Sequence, residues 1–315
     1  MKKLTVLILF ALAFSIFAAE QPEVSDKLVG IFPANIKCIA VLSPASTPNK
    51  KQTMLGVAML EKAGIKVKVM PHTYEYVKGS PGAPLEHRLA DWNQAVNDPE
   101  VDMIIASRGG SGAQHLVEKV DWKKFKERNL PLMGFSNITC ITSAMEYNQA
   151  GRPIAGPNLT RLVTASSGTL KHLKAVLAKG EIPEIKLVPL RKGDAKGRIY
   201  AGHISLIRSN IDSSFPVIPN GRVIFLECVG RDTTILTATF DYLLEKGFFN
   251  KAEAVVLCHF TNLKDKENRD KMFENWTSKL KCPVYKGYPY GHMNSNYALD
   301  FARTAVIKND TLSFE

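Results

Sequence analysis

The sequence has too few cysteines, spaced too far apart, to build a disulfide framework or a thiolate metal site. Its five cysteines are an odd number and include no Cys-x-x-Cys pair. Cys38, Cys140 and Cys258 lie in apolar segments, which predicts buried thiols. A catalytic cysteine is a minor alternative, and Cys228 is the one to examine if the protein works in an oxidising compartment.

Patterns that hold metals, dinucleotides or nucleoside phosphates are missing as well. The seven histidines are scattered, with no His-x-x-x-His spacing. No Gly-x-Gly-x-x-Gly opens a helix after a strand, which disfavours a dinucleotide site. The glycine-rich stretch 108–112 can cradle an anion, but it lacks the Lys-Ser/Thr of a phosphate-binding loop. We therefore expect neither a metal nor a cofactor.

Acidic residues are outnumbered by basic ones, yet the sequence does not resemble a nucleic-acid-binding protein. The formal net charge is +11, but the segment 119–128, which holds five basic residues, has Trp122 and Phe125 at helical spacing and so indicates a solvated helix face. The excess charge suits a soluble basic surface, or contact with an anionic polymer such as the cell wall. No internal repeat or low-complexity tract is present, and 45% hydrophobic residues are enough for a sizeable core.

The amino terminus has the composition of a secretory signal peptide, which we assign to residues 1–19. Lys2 and Lys3 precede an apolar run from Leu4 to Ala19 that ends in small residues. That run is short for a membrane span, which needs about 20 apolar residues. We expect a periplasmic or secreted protein that is not inserted in the membrane after cleavage. An uncleaved anchor is the main alternative.

Strand-like and helix-like segments alternate through the first half of the chain. Buried runs predict strands at 36–43, 65–70, 101–106 and 130–135, and amphipathic segments predict helices at 51–63, 85–96 and 138–149. Such alternation is typical of an α/β domain with a parallel sheet and helices on both faces. We place this domain at residues 28–165. Ligands of such sheets bind at the carboxyl ends of the strands.

A second, less regular α/β domain follows. We expect a helix at 162–179 that leads out of the first domain, a linker placed at 166–190 with mixed charge and two prolines between 180 and 189, and a carboxyl-terminal domain at 191–315. Within it, apolar runs predict strands at 197–207, 223–227 and 252–258, and helices at 234–246 and 266–279. The sequence leaves the oligomeric state open, with a homodimer among the options.

Four segments carry residues suited to acyl chemistry. Ser136 follows an apolar run in the turn Gly134-Phe135-Ser136, a strand-to-helix corner that exposes a hydroxyl. Alone, this pattern is more often an ordinary turn or helix cap. Glu227 ends a buried strand and His292 lies in a Gly/Pro-rich loop, so the three can supply nucleophile, orienting carboxylate and base. Ser111, in the glycine-rich stretch, is a rival nucleophile.

Together these segments resemble the LD-carboxypeptidases and their relatives, the microcin C immunity hydrolases. The family reads Arg-Gly-Gly-Tyr-Gly, Gly-Tyr-Ser-Asp-Ile-Thr, Phe-Leu-Glu-Asp and Pro-x-Gly-His. This chain has the corresponding segments, in the same order, at 108–112, 134–139, 225–228 and 289–292. It departs from the family at Ser111, Asn137 and Cys228, where the family has Tyr, Asp and Asp.

The resemblance implies a flavodoxin-like parallel-sheet domain, a smaller β-rich carboxyl-terminal domain, and a site between them. It implies a catalytic triad of Ser136, Glu227 and His292. Backbone N–H groups of Asn137 and of Gly109 or Gly110 would stabilise the oxyanion.

The substrate implied by the resemblance is a murein tetrapeptide or peptidoglycan, from which the enzyme removes terminal D-alanine. One alternative is a microcin-immunity-like or other small-amide hydrolase. Another is a non-catalytic periplasmic binding protein of the same fold.

Overall fold

The first part of the chain forms a parallel sheet in a computed structural model that describes residues 24–315. The predicted signal peptide lies outside these residues. The strands are β1 Cys38–Leu42, β2 Lys66–Val69, β3 Met103–Ala106, β4 Pro131–Gly134 and β5 Arg152–Ala155. The helices are α1 Lys50–Lys62, α2 Leu85–Asn97, α3 Ala113–Val117, α4 Trp122–Arg128, α5 Thr139–Asn148, α6 Leu159–Leu162 and α7 Ser167–Leu177.

These five strands lie in the order β2-β1-β3-β4-β5 with all neighbours parallel, which is the flavodoxin-like order. Alternate strand residues point to opposite faces. Ile104 and Leu132 pack in the core formed with α2, α4 and α5, whereas Ile105 and Met133 pack in the core that includes residues of α1 and α7. The predicted parallel sheet with helices on both faces is therefore confirmed.

The second part of the chain forms a larger mixed sheet. Its strands are β6 Ile185–Lys186, β7 Val188–Arg191, β8 Ala195–His203, β9 Arg222–Val229, β10 Ala254–Thr261, β11 Val284–Lys286, β13 Thr304–Lys308 and β14 Thr311–Phe314. Its helices are α8 Ile204–Ile211, α9 Thr233–Glu245 and α10 Arg269–Lys279. The order β6-β14-β13-β8-β9-β10-β11-β7 has a parallel centre, β8 to β11, and antiparallel edges. The predicted α/β fold class, with a strand-rich second part, is confirmed.

One strand joins the two halves. β12, Leu299–Asp300, follows most of the second sheet in sequence but pairs antiparallel with β5 of the first sheet. The chain then returns to the second sheet as β13. The Arg152 guanidinium contacts the Asp300 carboxylate at 2.6 Å beside this junction.

One local prediction differs from the structure. The strand predicted at 197–207 ends at His203, and α8 begins at Ile204. Ile204, Ile207 and Ile211 are spaced three and four residues apart, which is a helical pattern. The helix predicted at 162–179 is present as α7, and the segment 166–190 placed as the linker also contains the short strand β6. Among the helices of residues 24–315, none is long and apolar enough to cross a membrane.

Candidate active site

Ser136 lies on a sharp corner between β4 and α5. Phe135 is extended, and Ser136 has φ +63°, a left-handed conformation that is costly for a residue with a Cβ. A short 3₁₀ turn, Ser136–Ile138, then leads into α5. The corner therefore holds the Ser136 hydroxyl away from both the strand and the helix, as a nucleophile turn does.

Gly134 and Asn158 stabilise the turn at Ser136 through two close contacts. A Cβ added to Gly134 would lie 2.8 Å from the Asn158 side-chain oxygen and 2.8 Å from Ile138. That same Asn158 oxygen accepts a hydrogen bond from the Phe135 N–H at 3.1 Å. Only a residue without a side chain at 134 leaves room for the asparagine that fixes the turn.

The glycine-rich loop after β3 lies directly against Ser136. A Cβ on Gly109 would be 2.9 Å from the Ser136 Cβ, and Gly110 has φ +111°. Within residues 24–315, neither Gly109 nor Gly110 donates its backbone N–H to a protein acceptor. The Ser46 N–H donates to the Gly109 carbonyl at 3.3 Å and so helps to fix the loop. The loop can thus offer N–H groups to an anion beside the hydroxyl.

Asn137 connects the nucleophile turn to the helix that follows the glycine loop. Its side chain is buried, and its Oδ1 accepts the Ala113 N–H at 2.9 Å. Ala113 is the first residue of α3. The Asn137 side chain therefore ties the two loops together, while its own backbone N–H belongs to the turn at Ser136.

Glu227 and His292 come from the second half of the chain and meet Ser136. Glu227 lies on β9, is fully buried, and has its Oε2 2.7 Å from His292 Nδ1. The other ring nitrogen, His292 Nε2, is 3.1 Å from Ser136 Oγ. Gly291 has φ +126°, and a Cβ there would be 3.0 Å from the Glu227 carboxylate. The close approach of this loop to Glu227 therefore requires glycine before His292.

His203 is a buried histidine near Glu227 and His292 that the sequence did not single out. It ends β8 directly opposite Glu227 on β9, and its ring centroid is 6.0 Å from that of His292. Burial lowers the pKa of the His203 imidazole, which favours its neutral form. The sequence signal that could have identified His203 is the end of β8. A strand that ends at His203 places this residue at the same sheet edge as Glu227.

The two rival nucleophiles do not share this geometry. Ser111 is exposed, and its N–H donates to Ser46 Oγ at 3.0 Å; in the described part of the chain its hydroxyl forms no hydrogen bond with His292. Cys228 is fully buried, and burial raises the pKa of its thiol to about 12. A thiol in that state is neither nucleophilic nor readily oxidised. The predicted burial of Cys38, Cys140 and Cys258 is confirmed.

A cavity of about 380 Å³ opens in front of Ser136 and His292. Its charged lining is positive, since Arg108 and Arg161 line it and no carboxylate of residues 24–315 does. Within residues 24–315, neither guanidinium forms a salt bridge with an acidic side chain. The cavity can therefore receive an anionic group next to the hydroxyl. Arg161, on α6, was not identified from the sequence because it lies outside the four motifs.

The fold also brings together two histidines and a glutamate from the loop after β2 and the start of α2. One ligand atom each from His72, Glu75 and His87 lie within 4.8 Å of one another. These side chains lie outside the set that lines the cavity in front of Ser136.

Comparison with known proteins relates both halves of the chain to one family. A family profile described as the LD-carboxypeptidase N-terminal domain matches residues 39–154, and one described as the LD-carboxypeptidase C-terminal domain matches residues 196–307. The murein tetrapeptide carboxypeptidase of Pseudomonas aeruginosa is 25% identical over 295 residues, which cover 87% of this chain and 94% of that protein.

Two solved structures have the same fold. The muramoyltetrapeptide carboxypeptidase from Oxalobacter formigenes has a TM-score of 0.78 and 23% identity, over 88% of this chain and 98% of that chain. MccF in complex with glutamyl sulfamoyl guanosine has a TM-score of 0.76 and 15% identity, over 91% of this chain and 98% of that chain.

Proposed function

Since this chain belongs to the LD-carboxypeptidase family of peptidases, we propose that it is a serine peptidase that removes terminal D-alanine from murein tetrapeptides. One observation carries the proposal. A continuous hydrogen-bonded chain runs from Ser136 Oγ through His292 to the buried carboxylate of Glu227. Each member has the neighbour that a triad requires.

The first step is attack by Ser136 on the scissile amide carbonyl. His292 Nε2 accepts the hydroxyl proton as the new C–O bond forms, and Nδ1–H donates to Glu227 at 2.7 Å. Glu227 thereby holds the tautomer in which Nε2 is the base. The imidazolium then gives its proton to the leaving amine of D-alanine as the C–N bond breaks, which leaves an acyl-enzyme.

The second step is hydrolysis of that ester. His292 takes a proton from water, the hydroxide attacks the acyl carbonyl, and Ser136 leaves with the proton returned to it. In both steps the N–H groups of Asn137 and of Gly109 or Gly110 stabilise the oxyanion. One such donor is typically worth about 3 kcal/mol in the transition state.

The positive cavity supports a substrate with a free carboxylate. A carboxypeptidase must recognise the terminal carboxylate that lies next to its scissile bond, and Arg108 and Arg161 are the cations that line the cavity. We assign that carboxylate to these two guanidiniums, which can bind it by charge-assisted hydrogen bonds. The name of the Pseudomonas aeruginosa relative is consistent with this substrate class.

The decisive experiment is a digest of purified muropeptides followed by mass spectrometry. The full-length protein should convert disaccharide tetrapeptides into tripeptides with release of one D-alanine, and Ser136→Ala should not. Ser111→Ala is the matched control and should remain active. If the wild-type protein leaves tetrapeptides intact, this substrate assignment is wrong.

A second candidate is hydrolysis of another small amide, and the structural likeness to MccF with a bound glutamyl sulfamoyl nucleoside is the observation that favours it. An acyl group with a side-chain carboxylate would also suit a cavity lined by two arginines. Cleavage of an aminoacyl sulfamoyl nucleoside, without cleavage of tetrapeptides, would select this alternative. Failure of a serine-directed probe to label Ser136 would instead indicate a non-catalytic binding protein.

We also propose that the mature protein acts in the periplasm or is secreted, because residues 1–19 have the composition of a signal peptide. In a deletion strain, tetrapeptide stems should rise and tripeptide stems should fall. The full-length gene should restore the pattern, and a version without residues 2–19 should not. Full rescue by the leaderless version would argue for action in the cytoplasm.

A further inference from the structure

Three side chains with metal-binding atoms converge on the segment between β2 and α2. His72 and Glu75 lie on the loop after β2, and His87 lies in the first turn of α2. The His87 Nδ1 is 2.7 Å from the Glu75 carboxylate, and the two imidazole rings stack with centroids 4.4 Å apart. Two imidazoles and a carboxylate form a ligand set that is common for zinc.

A fourth residue, Asp91, orients one of the imidazoles. Asp91 is 3% exposed, and its Oδ1 lies 2.7 Å from His72 Nδ1. Both of its oxygens also accept the backbone N–H of His72, at 3.1 and 3.2 Å. The contact with Asp91 assigns the imidazole proton of His72 to its Nδ1, so that its Nε2 has a free lone pair for a metal ion. A carboxylate behind a histidine is the arrangement that fixes the tautomer and ring direction of metal-ligating histidines.

The positions of these residues favour a preformed site. His87 and Asp91 lie one turn apart on the same face of α2, so one helix holds both a ligand and the residue that orients another ligand. Tetrahedral coordination of zinc needs neighbouring ligand atoms roughly 3.3 Å apart. The three ligand atoms lie within 4.8 Å of one another, so binding of the ion requires them to move closer together. The three ligand side chains are about one-third exposed, which leaves room for water as a fourth ligand.

We propose that His72, Glu75 and His87 form a binding site for a divalent transition-metal ion of the zinc class. The donor set favours Zn²⁺, Co²⁺, Ni²⁺ or Cu²⁺ over Mg²⁺ and Ca²⁺, which prefer oxygen ligands. The ion neutralises the Glu75 carboxylate and joins a loop to a helix that begins ten residues later.

The bound ion would act as a clamp beside the active site rather than as part of it. The Thr47 hydroxyl donates to the Glu75 carbonyl, and the Thr47 N–H donates to the Pro81 carbonyl at 3.0 Å. Its neighbour Ser46 donates to the Gly109 carbonyl of the glycine-rich loop. The loop that carries two of the ligands therefore supports the turn that holds the candidate oxyanion donors.

The test is titration of the full-length, EDTA-treated protein with Zn²⁺ alone, followed by calorimetry, with Co²⁺ absorption to report the geometry. We expect one equivalent to bind, a cobalt spectrum of four-coordinate type, and a higher melting temperature with the ion. His87→Gln and Glu75→Gln should each weaken binding about tenfold or more, and Asp91→Asn about 10–100-fold. The matched control, His115→Gln, changes an exposed histidine outside the cluster and should bind like the wild type.

A second control separates this site from the triad. His292→Ala should bind the ion with unchanged affinity, and loss of binding in that variant would assign the ion to the catalytic site instead. The proposal is also overturned if the wild type binds no stoichiometric ion, or if both His87→Gln and Glu75→Gln fold, as judged by circular dichroism, and bind as the wild type does.

Discussion

Acid should destabilise this protein, and a measurable part of the loss should come from the buried histidine His172. His172, on α7, is 4% exposed, and its Nε2 lies 3.0 Å from the Ala298 carbonyl. Its ring stacks on Tyr297 with centroids 4.6 Å apart. Burial lowers the pKa of His172 from 6.5 to about 4, and the hydrogen bond to Ala298 offsets only part of that effect.

The direction and size of the effect follow from proton binding. The unfolded chain binds a proton at this residue near pH 6.5, whereas the folded protein does so only near pH 4. In that window the unfolded state holds more protons, so the free energy of unfolding falls as the pH is lowered. The contribution of neutral His172 is complete above pH 6.5. The loss is about 2 kcal/mol at pH 5 and roughly 3 kcal/mol at pH 4.

Urea unfolding at pH 7 and pH 5 measures this loss. His172→Gln keeps a donor for the Ala298 carbonyl but does not titrate, so its stability should fall by about 2 kcal/mol less than that of the wild type between the two pH values. His115→Gln, which changes an exposed histidine, should keep the wild-type pH dependence. The reasoning is refuted if His172→Gln and the wild type lose the same stability.

Four further predictions concern the site. Ser136→Ala should lower kcat by about three orders of magnitude or more with an unchanged circular dichroism spectrum, whereas Ser111→Ala should stay near wild type in the muropeptide assay. Glu227→Gln should fold but lose up to about 10⁴-fold in kcat, because an amide does not hold the productive tautomer of the base. Gly109→Ala should lower kcat about a hundredfold in steady-state kinetics, since its Cβ would lie 2.9 Å from the Ser136 Cβ. Arg161→Gln should raise KM for tetrapeptides with a free carboxylate but not for their amidated analogues, and an equal rise for both would contradict the assigned contact.

The first sheet was predictable from sequence because local patterns determine its elements. The apolar run 130–135 predicts a strand, and the structure has Pro131–Gly134. β5 was missed since it is only four residues long and includes Pro153. β12 was missed for another reason. Two residues form a strand there only because the edge of β5, far away in sequence, accepts them.

The candidate site likewise has residues that sequence motifs indicate and contacts that only the fold shows. Ser136 was selected because its turn pattern occurs together with three other segments in the order typical of the family, whereas its 3.1 Å contact with His292 joins residues 156 positions apart and is visible only in the fold. The cluster of His72 and His87 could not be read from spacing, because a loop, and not one helix, brings them together. Arg161 lies outside the four motifs. Its relation to Ser136 is visible only in the structure, where both residues line the same cavity.

The pairing of β12 with β5 has a consequence for when the protein becomes active during its synthesis. His292 lies between β11 of the second sheet and β12 of the first, so the proposed base is held by strands on both sides of the domain junction. A nascent chain that ends before His292 lacks this residue, and one that ends before Leu299 lacks the strand that anchors its loop to the first sheet. On the proposed mechanism, hydrolysis begins only after residues 292–300 have been synthesised, and a chain truncated before them is inactive.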